Sequence, residues 1–177
     1  MITRKLSIVS LVATAFCLGA AVPARAQSAE GPSGRDSYDI GVHTGSMLTR
    51  GIRGMTEVTP GWGMRASAPT SMGILEASSF FGRGRGQSYN SGALDFRLDL
   101  DLYEVLSAHF LLGGHADYYK PINRDAGFGL GWHYGGGVSQ VIGGRLLLRA
   151  DFKARYSPGS SLEVLIGFTY RMPTGGQ

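Results

Sequence analysis

Between positions 93 and 102 the chain reads Ala93-Leu94-Asp95-Phe96-Arg97-Leu98-Asp99-Leu100-Asp101-Leu102. Leu94, Phe96, Leu98, Leu100 and Leu102 occupy alternate positions, and Asp95, Arg97, Asp99 and Asp101 fill those between. Successive side chains of a strand point to opposite faces, so this stretch presents one wholly apolar surface backed by one wholly charged surface. A helix would mix the two. The segment is therefore read as a strand separating two unlike environments.

The same period of two recurs in both directions. Leu146, Leu148, Ala150, Phe152, Ala154 and Tyr156 alternate with Arg145, Leu147, Arg149, Asp151, Lys153 and Arg155. Leu162, Val164, Ile166, Phe168 and Tyr170 alternate with Glu163, Leu165, Gly167, Thr169 and Arg171. Phe128, Leu130, Trp132, Tyr134 and Val138 back onto Gly127, Gly129, Gly131, His133, Gly135, Gly137 and Ser139. Ala108, Phe110 and Leu112 oppose Ser107, His109, His115 and Asp117. Shorter patterns over Tyr38–Thr49, around Trp62-Gly63-Met64-Arg65 and around Leu75-Glu76-Ala77 bring the total to eight strands. Glycine fills 28 of 177 positions, a bias against helix that favours strands and turns.

Connections alternate in length. Arg50–Pro60, Gly82–Ser91 and Lys120–Ala126 read as long loops; those centred on Pro69-Thr70-Ser71, Tyr103-Glu104-Val105 and Gly143-Gly144 read as short turns. Folding the chain about Glu104 sets Asp99 opposite His109, and folding it about Gly159 sets Arg155 opposite Glu163.

Two-faced strands also build soluble sandwiches, in which the charges meet water. Here the apolar faces run five or six positions, about ten residues of strand, the ~9–11 needed for a tilted crossing of a bilayer. Large side chains crowd that face, while glycines and charges share the other, as the narrow interior of a small barrel requires. Aromatics at strand ends (Tyr38, Phe80, Phe81, Tyr103, Tyr118, Tyr119, Tyr170) suit interfacial girdles. The expected fold is all-β: an eight-stranded antiparallel up-and-down transmembrane β-barrel over residues 38–172, with a tail at 173–177. Inward charges should form a structural network of Arg65, Glu76, Asp95, Arg97, Asp99, Asp101, His109, Asp117, Arg149, Asp151, Lys153, Arg155, Glu163 and Arg171. So balanced a lumen is not expected to conduct.

Residues 1–26 lie outside this pattern. Arg4 and Lys5 precede an apolar run from Leu6 to Val22, then Pro23 and the small-x-small triplet Ala24-Arg25-Ala26. That is the layout of a secretory signal peptide cleaved after Ala26, leaving 27–37 as a short periplasmic segment. Cys17, the only cysteine, falls within the apolar run after Phe16, so neither lipidation nor a disulfide is expected. Removing Arg4, Lys5 and Arg25 leaves fourteen basic against thirteen acidic residues, a balance that argues against nucleic-acid binding.

Gly135-Gly136-Gly137-Val138, Leu146-Leu147-Leu148-Arg149-Ala150-Asp151 and the stretch from Leu162 to Arg171 with Gly167-Phe168-Thr169-Tyr170-Arg171 resemble the small outer-membrane barrel family that includes the OmpA and OmpX transmembrane domains. The sequence likeness covers about the last fifty residues; the architecture it implies covers nearly the whole exported chain. It implies location in a Gram-negative outer membrane with both termini periplasmic, a monomer among membrane lipids and lipopolysaccharide, and recognition by the barrel-insertion machinery. The family often ends on an aromatic residue. Here Phe168 and Tyr170 precede Met172-Pro173-Thr174-Gly175-Gly176-Gln177, so the insertion signal would be internal. No soluble domain is expected to follow, and with it no peptidoglycan tether.

Some such barrels modify lipids. Ser107 shares a face with His109, and His115 with Asp117, but residues two apart on a strand are ~6.6–7 Å from each other, too far for a direct nucleophile–base bond. His43, His109, His115 and His133 lack tight ligand spacing, so no metal or other cofactor is expected. Gly82-Arg83-Gly84-Arg85-Gly86 reads as a flexible basic outer loop whose Arg83 and Arg85 contact lipopolysaccharide phosphates. The functional expectation is a structural, envelope-integrity or surface-interaction barrel without enzymatic activity. The alternatives are a lipid-modifying outer-membrane enzyme and a periplasmic ligand-binding barrel.

Overall fold

The computed structural model describes residues 37–52, 54–55, 58–156 and 159–173. The expected signal peptide, the segment up to residue 36 and the tail from 174 onward lie outside them. Eight strands follow in order: β1 (Ser37–Arg50), β2 (Val58–Pro69), β3 (Ile74–Gly84), β4 (Gln87–Tyr103), β5 (Leu106–Lys120), β6 (Gly127–Gly143), β7 (Leu146–Tyr156) and β8 (Ser160–Pro173). Each pairs antiparallel with its sequence neighbours, and β1 closes on β8 from Ser37↔Pro173 to Arg50↔Ser160. Closure leaves no sheet edge, so the ladders satisfy the strand backbone internally.

The alternating sequence fixes which side of each strand faces inward. Along β4, Asp95, Arg97 and Asp99 are buried, whereas Leu94, Leu98 and Leu100 are exposed. Polarity is thus inverted relative to a soluble protein. Ile40 is 54% exposed, Phe110 61% and Leu130 67%, while Arg149 and Lys153 are each only 2% exposed. An apolar belt of this kind meets hydrocarbon, since burying the charges and wetting the leucines in water would be doubly unfavourable.

The connections differ from the sequence expectation in one place. Gly82–Ser91 is no long loop: β3 runs on to Gly84 and β4 begins at Gln87, leaving Arg85-Gly86 as a two-residue turn. Both turn residues have positive φ, +50° at Arg85 and +79° at Gly86, as the twist of a tight hairpin demands. The longer connections are therefore β1–β2 and β5–β6, which meet at the same end through a backbone hydrogen bond from Ile122 to Gly54. That end is called the loop end below; the opposite end, where β1 begins and β8 ends, is the turn end.

The registers also separate. Asp99 does pair with His109 in the β4–β5 ladder. In the β7–β8 ladder Glu163 faces Lys153 and Arg155 faces Ser161, because the hairpin is centred one residue earlier than Gly159.

Candidate functional site

The interior is a lattice of ion pairs built from all eight strands. Near the turn end Arg97 is its first hub: Nη1 donates to Glu76 at 2.7 Å, Nη2 to Asp39 at 2.9 Å and Nε to Asp99 at 2.9 Å. Arg149 donates twice to Glu76, at 2.5 and 3.0 Å, and once to Asp151 at 2.8 Å. Asp151 also receives Arg65 at 2.5 Å and lies 2.6 Å from His109 Nε2. Arg171 closes the layer on Asp39 at 3.4 Å.

Farther along the axis Lys153 donates to Asp95 at 2.7 Å, and His133 Nε2 meets the same carboxylate. His133 and His115 face each other, their Nδ1 atoms 3.1 Å apart, and His115 Nε2 is 3.3 Å from Asp117. Arg155 then ties Asp117 at 2.9 Å to Glu163 at 3.1 Å, and the Tyr89 hydroxyl donates to Asp117. Asp39, Glu76, Asp95, Asp117 and Asp151 are each shared between donor residues, which is how a charge can be held away from water. Glycines give the space: a Cβ on Gly137 would sit 2.7 Å from His109 Nε2.

Beyond Arg155 the filling changes character. Met47, Phe80, Tyr89 and Leu165 form a fully buried apolar cluster, with Ile52, Met55 and Tyr119 packed against it. These residues stopper the loop end. Phe80 and Tyr119 had been assigned to the lipid interface by sequence; Phe80 in fact points inward, because Phe81 takes the outward position beside Trp62.

Of the charges expected in the lumen, Asp101 is not there. It is exposed, and so is Arg145 of the β6–β7 turn. The cause is length: β3 pairs with β4 only as far as Ile74↔Arg97, so the end of β4 overhangs the rim and Asp101 reaches solvent. The other thirteen residues of the expected network are buried. Asp39 belongs with them and was overlooked, although its alternation with Ile40 was readable. Among the described residues the inward charges are six basic (Arg65, Arg97, Arg149, Lys153, Arg155, Arg171) and seven acidic (Asp39, Glu76, Asp95, Asp99, Asp117, Asp151, Glu163), which leaves little net field along the axis.

Arg155 does contact Glu163, but diagonally rather than as a ladder partner. Asp99 answers to Arg97, and His109 reaches across Gly137 to Asp151, two strands along the same row. Ser107 is buried, with the His109 ring directed away from it onto that carboxylate. Among the described residues no three His, Cys, Asp or Glu side chains converge as a metal-ligand set. Arg83 and Arg85 are both exposed at the loop end, on and beside the tight β3–β4 turn. Phe168 and Tyr170 face outward, about half exposed.

Charges enclosed, apolar side chains outside and no free edge define a small β-barrel of the transmembrane class. No protein-family model matches the chain, and no curated protein does. Among solved structures it is similar to the N-terminal β-barrel domain of Pseudomonas aeruginosa OprF, with a TM-score of 0.64 and 13% identity over 78% of this chain and 99% of that one. It is also similar to Ail, the attachment invasion locus protein of Yersinia pestis, with a TM-score of 0.54 and 14% identity over 77% and 97%. At these identities the likeness is one of fold.

Proposed function

We propose that the chain is an outer-membrane barrel of the small OmpA- and OmpX-like kind, non-enzymatic and non-conducting, with a structural, envelope-integrity or surface-interaction role. The carrying observation is the continuous filling of the lumen, from the Asp39–Arg97–Glu76–Arg149 lattice to the Met47–Phe80–Tyr89–Leu165 stopper. A permeant ion would have to displace shared carboxylate–guanidinium contacts and then pass the buried apolar cluster. The burial of Ser107 and His109 in the same lumen supports the non-enzymatic reading.

In this reading both termini and the short turns face the periplasm, and the longer connections face outward. Phe168 and Tyr170 serve as the internal signal for the insertion machinery, the surrounding partners are membrane lipids and lipopolysaccharide, and the barrel works as a monomer. The test is direct. The expressed protein should be recovered with outer membranes, and the purified barrel should give no steady conductance in planar bilayers. Reproducible ohmic openings would refute the closed lumen, and recovery in the soluble periplasm would refute the membrane reading.

A further inference from the structure

The outer wall at the loop end is not uniform. On β6 and β7, Trp132, Tyr134 and Tyr156 stack on one another with ring centroids 4.6–6.1 Å apart, and the charge nearest along their rows is Arg50, two strands from Tyr156 across Ser160. On β3, β4 and β5 the rows are of another kind. Arg83 pairs with Ser88, and Ser88 pairs with Lys120, so one row across three strands carries a hydroxyl between two cations. The next row inward is Phe81–Asn90–Tyr118, an amide between two aromatics, and Trp62 pairs with Phe81, their ring centroids 5.3 Å apart. The row after that is Ser79–Gly92–Ala116, all small.

The first of these rows and part of the second line a groove of about 500 Å³ on the outside of the barrel, with Trp62, Phe81, Arg83, Ser88, Asn90 and Lys120 among its walls; Ser79, Gly92 and Ala116 lie just beyond it. Arg83 and Lys120 are exposed, and neither has an ion-pair partner among the described residues. Neighbouring strands are ~4.8 Å apart, so the two cations spring from points roughly 10 Å apart, close enough for their long side chains to converge over Ser88. Two such cations flanking a hydroxyl suit a phosphate. Beneath them, Gly92 has nothing within 4 Å of where a Cβ would stand, which leaves a shallow track for an acyl chain.

We propose that this groove binds a lipid A molecule, its glucosamine phosphate held by Arg83, Lys120 and Ser88, its sugar against Trp62, Phe81 and Asn90, and an acyl chain over Gly92. The choice of lipid A rests on the proposed orientation, which sets the loop end in the outer leaflet. A broad three-strand seat with cations on both flanks and an aromatic floor also fits a phosphorylated sugar better than a slender glycerol headgroup. Arg85, which lies at the turn and outside the groove lining, is not part of the site.

The chain has two tryptophans, so Trp132→Phe leaves Trp62 as the sole indole reporter on the groove. In detergent micelles, lipid A should change the Trp62 emission saturably. Arg83→Ala with Lys120→Ala should weaken the apparent affinity roughly tenfold or more, the scale of losing charge-assisted bonds; Arg83→Lys should retain most of it, and Arg85→Ala should change nothing. Unchanged heat-modifiable gel mobility certifies that each variant is folded. Equal affinity in the double variant, an identical curve with phosphatidylglycerol, or a loss produced by Arg85→Ala would each overturn the site. The orientation is read separately, by labelling Arg85→Cys on intact cells: labelling without lipid A binding overturns the groove alone, and binding without labelling overturns the orientation alone.

Discussion

The lumen is filled by two unlike materials along one axis, and the contrast shows what each can do. Over most of its length, guanidinium, ammonium and imidazole groups share carboxylates, as where Glu76 receives Arg97 and Arg149 together. At the loop end the filling is Met47, Phe80, Tyr89 and Leu165. The ionic part specifies geometry, because every carboxylate needs its donors at hydrogen-bond distance and a shifted register would strand charges. The apolar part specifies little but excludes water, and a dry neighbour strengthens every ion pair beneath it. Tyr89 joins the two: its ring sits in the stopper and its hydroxyl donates to Asp117 of the lattice.

The largest break in this comparison should come from Glu76→Gln. The substitution keeps the volume and removes the charge, leaving Arg97 and Arg149 without the carboxylate they share. Losing one member of a buried pair costs about 3–5 kcal/mol, and two guanidiniums depend on this one. Urea unfolding of the barrel in lipid vesicles should show a fall of that order. A loss below about 1 kcal/mol would mean that the lattice is slack enough for the arginines to find other partners.

Phe80→Ala probes the other material. Removing a buried phenyl ring costs about 3 kcal/mol in a core that relaxes only in part. The lattice beneath, beginning with Arg155, Asp117 and Glu163, stays in place. The variant should therefore be less stable in urea and still silent in planar bilayers. Conductance from this substitution alone would show that the stopper, and not the ion lattice, is the seal.

How much of this was readable in the sequence follows the same division. The strands were legible where their faces differ at every position, as from Leu94 to Leu102, because period-two alternation survives any tertiary context. Membership of the lumen followed from it for thirteen charged or histidine residues. Partner choice did not. Arg65 and Asp151 are 86 positions apart, and Lys153 and Asp95 are 58 apart. Which residues meet across the barrel depends on strand stagger at closure, a quantity no single hairpin reveals. The Gly82–Gly86 segment misled for a local reason: glycine stands at every second position, so several turns are possible, and only the positive φ values at Arg85 and Gly86 select one. Phe80 and Phe81 were ambiguous because two adjacent aromatics of a strand must face opposite ways.

The smallest expected effect comes from two residues that the alternation treats as equals. Asp99 and Asp101 occupy the same face of β4, yet Asp99, two positions past the last β3 pairing, is buried and accepts from both Nε and Nη2 of Arg97, whereas Asp101, four positions past it, is exposed. Asp99→Asn exchanges charge-assisted bonds for weaker ones and should cost about 1.5–3 kcal/mol. Asp101→Asn should stay within about 0.5 kcal/mol of the parent, as exposed surface substitutions do. The two variants carry the same chemical change on one strand, so the difference between their urea midpoints measures enclosure itself. Equal midpoints would mean that the rim of the barrel reaches farther than the β3 pairing shows, with Asp101 as much a member of the lattice as its neighbour.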